Sequence, residues 1–194
     1  MLDNYHIVLA SNSPRRKALL TDLGIPFEVR IVKGLEESYP STLQSEEIPQ
    51  YLSRQKAEAY LATMADNDMI ITADTVVVLG GLVLGKPANE HEAHQMLTSL
   101  SGRTHEVITG ITITTKQRQH TFAVKTKVTF CTLSEEEINH YIQHYHPLDK
   151  AGSYGIQEWI GYVGVEKVEG SYFNVVGLPI QQLYQTLKHW EDEA

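Results

Sequence analysis

The order of strand-like and helix-like segments limits the folds open to this sequence more than any other feature. Apolar, β-rich runs alternate with stretches in which apolar residues recur every three or four positions, as they do in amphipathic helices. The chain begins strand, helix, strand, helix, strand and then adds hairpins that look antiparallel. This order predicts an α/β fold with a mixed twisted sheet and flanking helices. Strands are predicted over residues 5–10, 27–32, 69–79, 106–115, 121–133, 161–168 and 171–176, and helices over 14–23, 45–63, 90–100, 134–145 and 180–190.

Capping signals support the helix predictions. Ser13 followed by Pro14 is typical of an N-cap with proline at the first helical position. Ser134 and Glu137 have the spacing of a capping box, and Gly24 stands where the first helix should end. These local signals predict where the first helix begins and ends and where the fourth begins.

Charge and hydropathy exclude several classes of protein. The formal net charge of −8 argues against a general nucleic-acid or anionic-membrane binder, because such binding needs a field of Lys and Arg. Neither a signal peptide nor an uninterrupted apolar run of about 18 residues is present, so a soluble cytoplasmic protein is expected. The single cysteine, Cys131, cannot form an internal disulfide, and its strand-like surroundings predict a buried small hydrophobe.

Positive charge is concentrated in the stretch "LASNSPRRKALL", at the first turn of a predicted helix. A helix N-terminus attracts anions through its free amides and its dipole. Arg15 and Arg16 add guanidinium groups suited to phosphate, and Ser11 and Ser13 add hydroxyl donors. The stretch predicts a phosphate site. The alternative, in which Ser13 only caps the helix while the arginines pair with surface carboxylates, remains open at this point.

Acidic residues form a second candidate element. Asp74 stands in the middle of the apolar run "IITADTVVVL", and a carboxylate in a buried strand usually has a cation, a metal or a catalytic task. A structural ion pair with Arg or Lys is the alternative. Glu36 and Glu37 follow the predicted strand "FEVRIV", where they are placed to share a hard divalent cation with Asp74. Taken alone, the glutamate pair fits a solvated turn better.

The segment "VLGGLVLGKP" resembles a phosphate-binding loop only in part. Gly80, Gly85 and Lys86 have the required spacing, but Pro87 replaces the hydroxyl residue that would contact Mg²⁺. We therefore interpret Gly80 and its neighbour as a hairpin turn. Lys86 is still placed to face a bound phosphate, since it leaves the sheet just before a proline.

The loop "DKAGSYGIQEW" is a candidate ligand site near the end of the chain. Its glycines allow a backbone to approach a ligand closely, and Gln157 offers a donor and an acceptor on one amide. A donor and an acceptor side by side suit the edge of a nucleobase. A hairpin is predicted to follow, built from "GYVGVEKVEGSYFNVVGLP".

Six motifs in this order, "SNSPRR", "ADTVV", "GKP", "LSGRTHEVITG", "DKAGSYGIQ" and "GSYFNVVGLP", closely resemble the Maf family of nucleoside triphosphate pyrophosphatases over nearly the whole chain. The resemblance implies a cytosolic enzyme that hydrolyses a nucleoside triphosphate between its α and β phosphates, with Mg²⁺ or Mn²⁺. It also implies a single elongated domain over residues 1–194, with a cleft between two lobes, similar in fold to inosine triphosphate pyrophosphatases. A homodimer is an expectation from the family only.

The resemblance also implies roles for individual residues. Asp74 becomes the proton acceptor or the acid that organises the metal, with Glu37 as its partner. Ser11, Arg15, Arg16, Lys56 and Lys86 would line the triphosphate channel, and Arg15, Thr75 and Gln157 would set the base preference. The pair "IQ" after "AGSYG" resembles the subgroup that acts on dTTP and UTP. Two departures, Ser153 in place of alanine and Glu158 in place of glycine, bear on the base pocket.

Two alternatives remain beside this hypothesis. The first is a nucleotide-sensing regulator of cell division that binds dTTP without hydrolysing it, although a pure binder gains nothing from the carboxylate of Asp74. A pyrophosphatase for modified purine triphosphates such as 7-methyl-GTP is the second alternative, and Gln157 argues against it. Both would use the same arginines.

Overall fold

The computed structural model describes residues 2, 4–35 and 37–191 of the chain. Its strands, β1 to β7 in chain order, are His6–Leu9, Glu28–Val29, Asp68–Leu79, Leu82–Leu84, Thr104–Thr114, Gln119–Phe130 and Val165–Glu169. They form one sheet in the order β2-β1-β3-β5-β6-β7, with β4 paired to β3. Strand β1 runs parallel to β2 and β3, whereas β4 is antiparallel to β3 and β7 to β6. The predicted mixed sheet is confirmed.

Seven α-helices surround these strands in the described part of the chain. Helices α1 to α7 are Pro14–Asp22, Glu47–Glu58, Glu90–Leu100, Glu135–Tyr145, Trp159–Gly164, Tyr172–Val176 and Ile180–Lys188. Two short 3-10 turns, Pro147–Asp149 and Ala151–Ser153, lie between α4 and α5. Among the described helices, none has the length and apolarity that crossing a membrane requires.

The chain divides into two compact units, each with its own apolar core. The first unit comprises Met1–Asp74, Thr109–Val124 and Gly177–Ala194, and the second comprises Thr75–Ile108 and Lys125–Val176. The core of the first unit includes Leu9, Leu20, Ile71, Ile111, Leu183 and Trp190. The core of the second includes Val77, Leu97, Phe130, Tyr141 and Ile160.

The local signals read from the sequence are present in the structure. The Ser13 side chain accepts a hydrogen bond from the third amide of α1, and Ser134 and Glu137 form both bonds of a capping box on α4. Gly80 and Gly81 join β3 to β4 with φ values of +57° and +88°, which side-chain-bearing residues rarely adopt. Short-range patterns of this kind do not depend on how the rest of the chain packs.

The predicted hairpin over residues 161–179 is wrong, because its first part is helical. Helix α5 extends to Gly164 and so takes the first part of the strand predicted over residues 161–168, and β7 begins only at Val165. Gly161 permits the helical path: a Cβ at this position would lie 1.7 Å from the carbonyl oxygen of Ile156. The alternation of apolar and polar letters gave no sign of this close approach.

The predicted strand over residues 171–176 is also wrong, because α6 occupies Tyr172–Val176. Asn174 is fully buried, and its Nδ2 donates to the carbonyl oxygen of Val107 and to Thr126 Oγ1, each at 3.0 Å. The Ser171 hydroxyl accepts from the amide of Asn174 at 3.3 Å. These contacts across the second unit override the β propensity of the aromatic and β-branched residues.

Two smaller predictions also need correction. Strand β2 is shorter than the predicted 27–32, because the Tyr60 hydroxyl donates to the carbonyl oxygen of Arg30 and accepts from the amide of Val32, at 2.9 and 3.1 Å. These two backbone groups therefore bond to a side chain instead of to a neighbouring strand. Cys131, predicted to be buried, is only half-buried, and its Sγ lies 3.4 Å from the carbonyl oxygen of Val163.

The free energy of unfolding is expected to fall by about 3 kcal/mol as the pH drops from 6.5 to 4, through His105. Burial lowers the pKa of this imidazole to about 4, while its Nε2 is 2.7 Å from the Tyr154 hydroxyl. Below pH 6.5 the His105 imidazole of the unfolded chain binds a proton, whereas that of the folded chain stays neutral until about pH 4. Acid therefore favours unfolding in this window. Urea unfolding at a series of pH values measures the effect.

The matched variant for this measurement is His105→Gln, which removes the titrating group but keeps a side chain that can hydrogen-bond. Across that window, the slope of its unfolding free energy against pH should be smaller than that of the wild type, by the amount that corresponds to about one bound proton. Equal slopes for the two proteins would contradict the assignment to His105.

Candidate active site

Asp74 lies on β3 beyond the point where β1 ends. The last residue of β1, Leu9, pairs with Ile71, so β3 carries the chain three residues further before Asp74 is reached. The residue is 8% exposed. Its Oδ1 accepts a hydrogen bond from the Lys56 ammonium at 2.6 Å, while Oδ2 has no hydrogen bond to any described residue. The strand thus presents a nearly buried carboxylate with one oxygen available to a ligand.

Lys56 joins two carboxylates. It lies in the last turn of α2, and its Nζ is 2.6 Å from Asp74 Oδ1 and 3.0 Å from Glu37 Oε1. The side chains of Lys56 and Asp74 are mostly buried, whereas that of Glu37 is 43% exposed. The structure therefore brings Glu37 and Asp74 to one cation, while Glu36, predicted beside them, lies outside the described residues.

Helix α2, which carries Lys56, packs directly against β5. A Cβ at Gly110 would lie 2.3 Å from the carbonyl carbon of Pro49, so only glycine permits this approach. Ser53 Oγ is 2.8 Å from Thr112 Oγ1, and Thr72 donates to the Ser53 carbonyl oxygen at 2.7 Å. All three hydroxyl residues are fully buried. Sequence reasoning missed this contact, although a glycine inside a strand is a known sign of close backbone approach.

Arg16 ties α1 to the strand residue that precedes Asp74. Its Nη1 donates to the carbonyl oxygen of Ala73 at 3.0 Å, and its Nε donates to that of Gly177 at 2.8 Å. Burial lowers the pKa of Arg16, and the nearby carboxylates of Asp74 and Glu37 oppose that shift. The guanidinium therefore supplies positive charge close to Asp74 and holds the backbone in place.

Arg15 and Ser11 flank this guanidinium. Arg15 precedes it on α1 and is half-buried, and its charge also acts to lower the pKa of Arg16. Ser11 Oγ accepts from the amide of Ser13 at 3.2 Å and lies 3.5 Å from Arg16 Nη1. Two guanidinium groups and a hydroxyl thus lie at the start of one helix, where phosphate is readily bound.

Two of the other predicted residues, Lys86 and Thr75, belong to the second unit. Lys86 is exposed just after β4, and the preceding Gly85 accepts a hydrogen bond through its carbonyl oxygen from the amide of Gly152 at 3.0 Å. Thr75 is the one position of β3 that is not buried. The segment of Lys86 is thereby joined to the loop that leads to Gln157.

Gln157 presents a buried acceptor in the second unit. It lies inside a turn closed by the hydrogen bond from the amide of Glu158 to the carbonyl oxygen of Gly155, at 3.0 Å. Its Oε1 is buried and has no hydrogen-bond partner among the described residues. A buried acceptor without a partner is costly, and an N–H group on a ligand would satisfy it.

The pair Glu37 and Asp74 fits a divalent cation. In the described part of the chain no three His, Cys, Asp or Glu side chains converge as a complete metal site. The two carboxylates nevertheless meet at the Lys56 ammonium, which marks a position for positive charge between hard oxygen ligands. Mg²⁺ is commonly held by one or two carboxylates, with phosphate oxygens and water completing its shell.

Comparison with known proteins agrees with this fold. A HAM1 protein from Coxiella burnetii superimposes with a TM-score of 0.50, covering 95% of this chain and 99% of that one at 14% identity, which shows a likeness of fold alone. The sequence matches the family described as Maf-like protein over residues 6–190. The chain belongs to this family.

Several relatives carry one name. A protein of Phocaeicola vulgatus named dTTP/UTP pyrophosphatase is 59% identical over 187 residues, which is 96% of this chain and 97% of that protein. A protein of Parabacteroides distasonis with the same name is 56% identical, covering 98% of this chain and 100% of its own length. One of Christiangramia forsetii, also so named, is 46% identical over 97% of this chain and 95% of its own.

Proposed function

We propose that this chain is a cytoplasmic nucleoside triphosphate pyrophosphatase that hydrolyses dTTP and UTP to the monophosphate and pyrophosphate with Mg²⁺ or Mn²⁺. The observation that carries the proposal is the meeting of two carboxylates, Asp74 and Glu37, at the ammonium of Lys56. The names of the relatives, at 46% to 59% identity, support dTTP and UTP as the substrates.

Positive side chains of this chain screen the substrate. A triphosphate carries several negative charges that repel an incoming nucleophile until cations neutralise them. This charge is supplied by Arg15 and Arg16 at the start of α1, by Lys56 on α2 and by Lys86. Because the whole protein is acidic, this local charge selects for a compact polyanion.

Asp74 accepts the proton of the attacking water through Oδ2. The hydrogen bond from Lys56 fixes Oδ1 and so fixes the direction in which the other oxygen points. Glu37 and Asp74 would hold the metal, which neutralises phosphate oxygens and makes water more acidic when it is bound. The bond from water oxygen to the α-phosphorus forms, and the bond to the bridging oxygen breaks to release pyrophosphate.

Gln157 reads the base. The ring of thymine or uracil carries an N–H group between two carbonyl groups, and the buried Oε1 of Gln157 is an acceptor for that N–H. The amide group of Gln157 then donates to a neighbouring carbonyl oxygen of the base. A purine without an N–H at the matching place would leave the buried acceptor unsatisfied.

Methylation of dTTP at the ring nitrogen that carries this hydrogen is expected to lower kcat/KM by about 10- to 100-fold, because the acceptor of Gln157 then has no partner. Steady-state hydrolysis of the methylated and ordinary nucleotides measures the ratio. The Gln157→Ala variant is the control, since it should treat both nucleotides nearly alike. A wild-type protein that hydrolyses both equally fast would contradict this role for Gln157.

Release of pyrophosphate from dTTP, UTP, GTP, ATP and 7-methyl-GTP, with Mg²⁺, with Mn²⁺ and with chelator, tests the proposed function. We expect release from dTTP and UTP that chelator abolishes. Release from 7-methyl-GTP alone would support the modified-purine alternative. If no nucleotide is hydrolysed while dTTP still raises the melting temperature, the chain is a nucleotide sensor and the proposal fails.

A further inference from the structure

We propose that Tyr141, Glu158 and Lys150 form a positioning network that fixes the side-chain amide of Gln157 and thereby sets the preference for pyrimidine triphosphates. The inference rests on the proposed function and extends it to side chains that do not touch the substrate. All of these residues belong to the second unit.

One buried hydroxyl holds both ends of the turn that contains Gln157. Tyr141 is fully buried on α4, and its hydroxyl donates to Glu158 Oε2 and accepts from the amide of Gly155, the latter at 2.9 Å. Gly155 and Glu158 are the first and last residues of that turn. Removing this hydroxyl would therefore release the turn at both ends.

Lys150 balances the charge of Glu158. Its ammonium lies 3.2 Å from Glu158 Oε1 and 2.8 Å from Asp149 Oδ1, and the lysine side chain is only 8% exposed. The two oxygens of Glu158 are thus bound to two different groups. Burial first, and then the hydrogen bond to Glu158, raise the pKa of Tyr141, so its hydroxyl stays protonated and can donate.

The side chain of Gln157 is confined by the same turn. A Cβ at Gly155 would lie 2.7 Å from Gln157 Nε2 and 3.0 Å from the carboxyl carbon of Glu158, so both side chains pass directly over this glycine. Tyr162 donates to the carbonyl oxygen of Gln157 at 3.1 Å and holds its backbone. With its surroundings fixed in this way, Oε1 has a defined position for the N–H of a base.

The network also accounts for a departure seen in the sequence. Glu158 stands where the family resemblance leads us to expect glycine, and glycine has no carboxylate for Tyr141 or Lys150 to bind. In this chain Glu158 supplies the carboxylate that ties Tyr141 and Lys150 to the turn of Gln157. A Gln157 side chain that is already held in place distinguishes bases better, because less of its conformational freedom is lost when the base binds.

Tyr141→Phe and Glu158→Gln test the network, with Tyr145→Phe as the matched control. Tyr145 lies one turn further on α4, and its ring stacks on that of Tyr141 at 5.1 Å. We expect both test variants to raise KM for dTTP about tenfold with kcat changed less than about threefold, and to lower the preference for dTTP over ATP, whose base has no ring N–H on that edge, about tenfold. The control should match wild type in all three quantities.

An equal loss of activity toward dTTP and ATP would overturn the inference, because it would show a structural role only. Unchanged KM and preference in both test variants, with wild-type hydrolysis of dTTP intact, would also overturn it while leaving the proposed function standing. A wild-type protein inactive toward dTTP and UTP would remove the proposed function and this inference with it. If Tyr141→Phe does not fold, Glu158→Gln decides, since it keeps the shape of the side chain.

Discussion

Replacing Asp74 by asparagine is expected to lower kcat for dTTP by about 10²- to 10⁴-fold, the range that a positioned general base contributes. Asparagine has the shape of aspartate and still accepts a hydrogen bond from Lys56 through its side-chain oxygen. It lacks the negative charge that holds a proton or a metal ion. The loss should therefore appear in kcat, measured by pyrophosphate release at saturating dTTP.

The matched control is Asp68→Asn, at the first position of the same strand. Asp68 is 1% exposed, and its carboxylate accepts from Arg30 at 2.6 Å and lies 2.9 Å from His6 Nδ1. Its loss should lower stability and leave kcat within about threefold of wild type when the assay is run well below the melting temperature. Near-normal turnover by Asp74→Asn would contradict the assignment of Asp74 as the general base.

Replacing Gly110 by alanine is expected to lower the free energy of unfolding by about 3 kcal/mol or more and kcat/KM at least tenfold. The new Cβ would lie 2.3 to 2.5 Å from backbone atoms of Pro49 and Gln50, and backbone cannot move aside as a flexible side chain can. Helix α2 must shift away from β5 and take Lys56 with it. Urea unfolding and steady-state kinetics measure the two effects.

Gly85→Ala serves as the control for stability, because a Cβ there has nothing within 4 Å and its backbone needs no left-handed conformation. It should change the free energy of unfolding by less than about 0.5 kcal/mol. If Gly110→Ala is equally mild, then α2 does not rest on β5 as closely as the structure has it.

The sequence alone predicts features that depend on neighbouring residues. The cap at Ser13, the capping box at Ser134 and the turn at Gly80 are decided by short-range backbone geometry, and all three are present. The buried carboxylate of Asp74 is equally visible, because a charge inside an apolar strand stands out. Such signals suffice for the class of fold and for the core of the candidate site.

Features that depend on distant contacts could not be predicted. Helix α6 was taken for a strand because its buried contacts run from Asn174 to residues far away in the sequence. The approach of Lys56 to Asp74 depends on how α2 packs at Gly110, and only the family resemblance pointed to this lysine. The hydroxyl of Tyr141 gave no sequence signal, since a tyrosine on an amphipathic helix is usually core.

Some predictions stay predictions. They are the single domain with a cleft between two lobes, the homodimer, the divalent metal, the cytoplasmic location, and the roles given to individual site residues. The experiments on Asp74, Gln157 and Tyr141 address those roles one residue at a time.

The central claim is that water attacks the α-phosphorus of a pyrimidine triphosphate. Hydrolysis of dTTP in water labelled with ¹⁸O, followed by mass spectrometry of the products, tests it most directly. We predict that dTMP and pyrophosphate are the products and that the label enters dTMP alone. Label in pyrophosphate, or dTDP and inorganic phosphate as the products, would contradict the account.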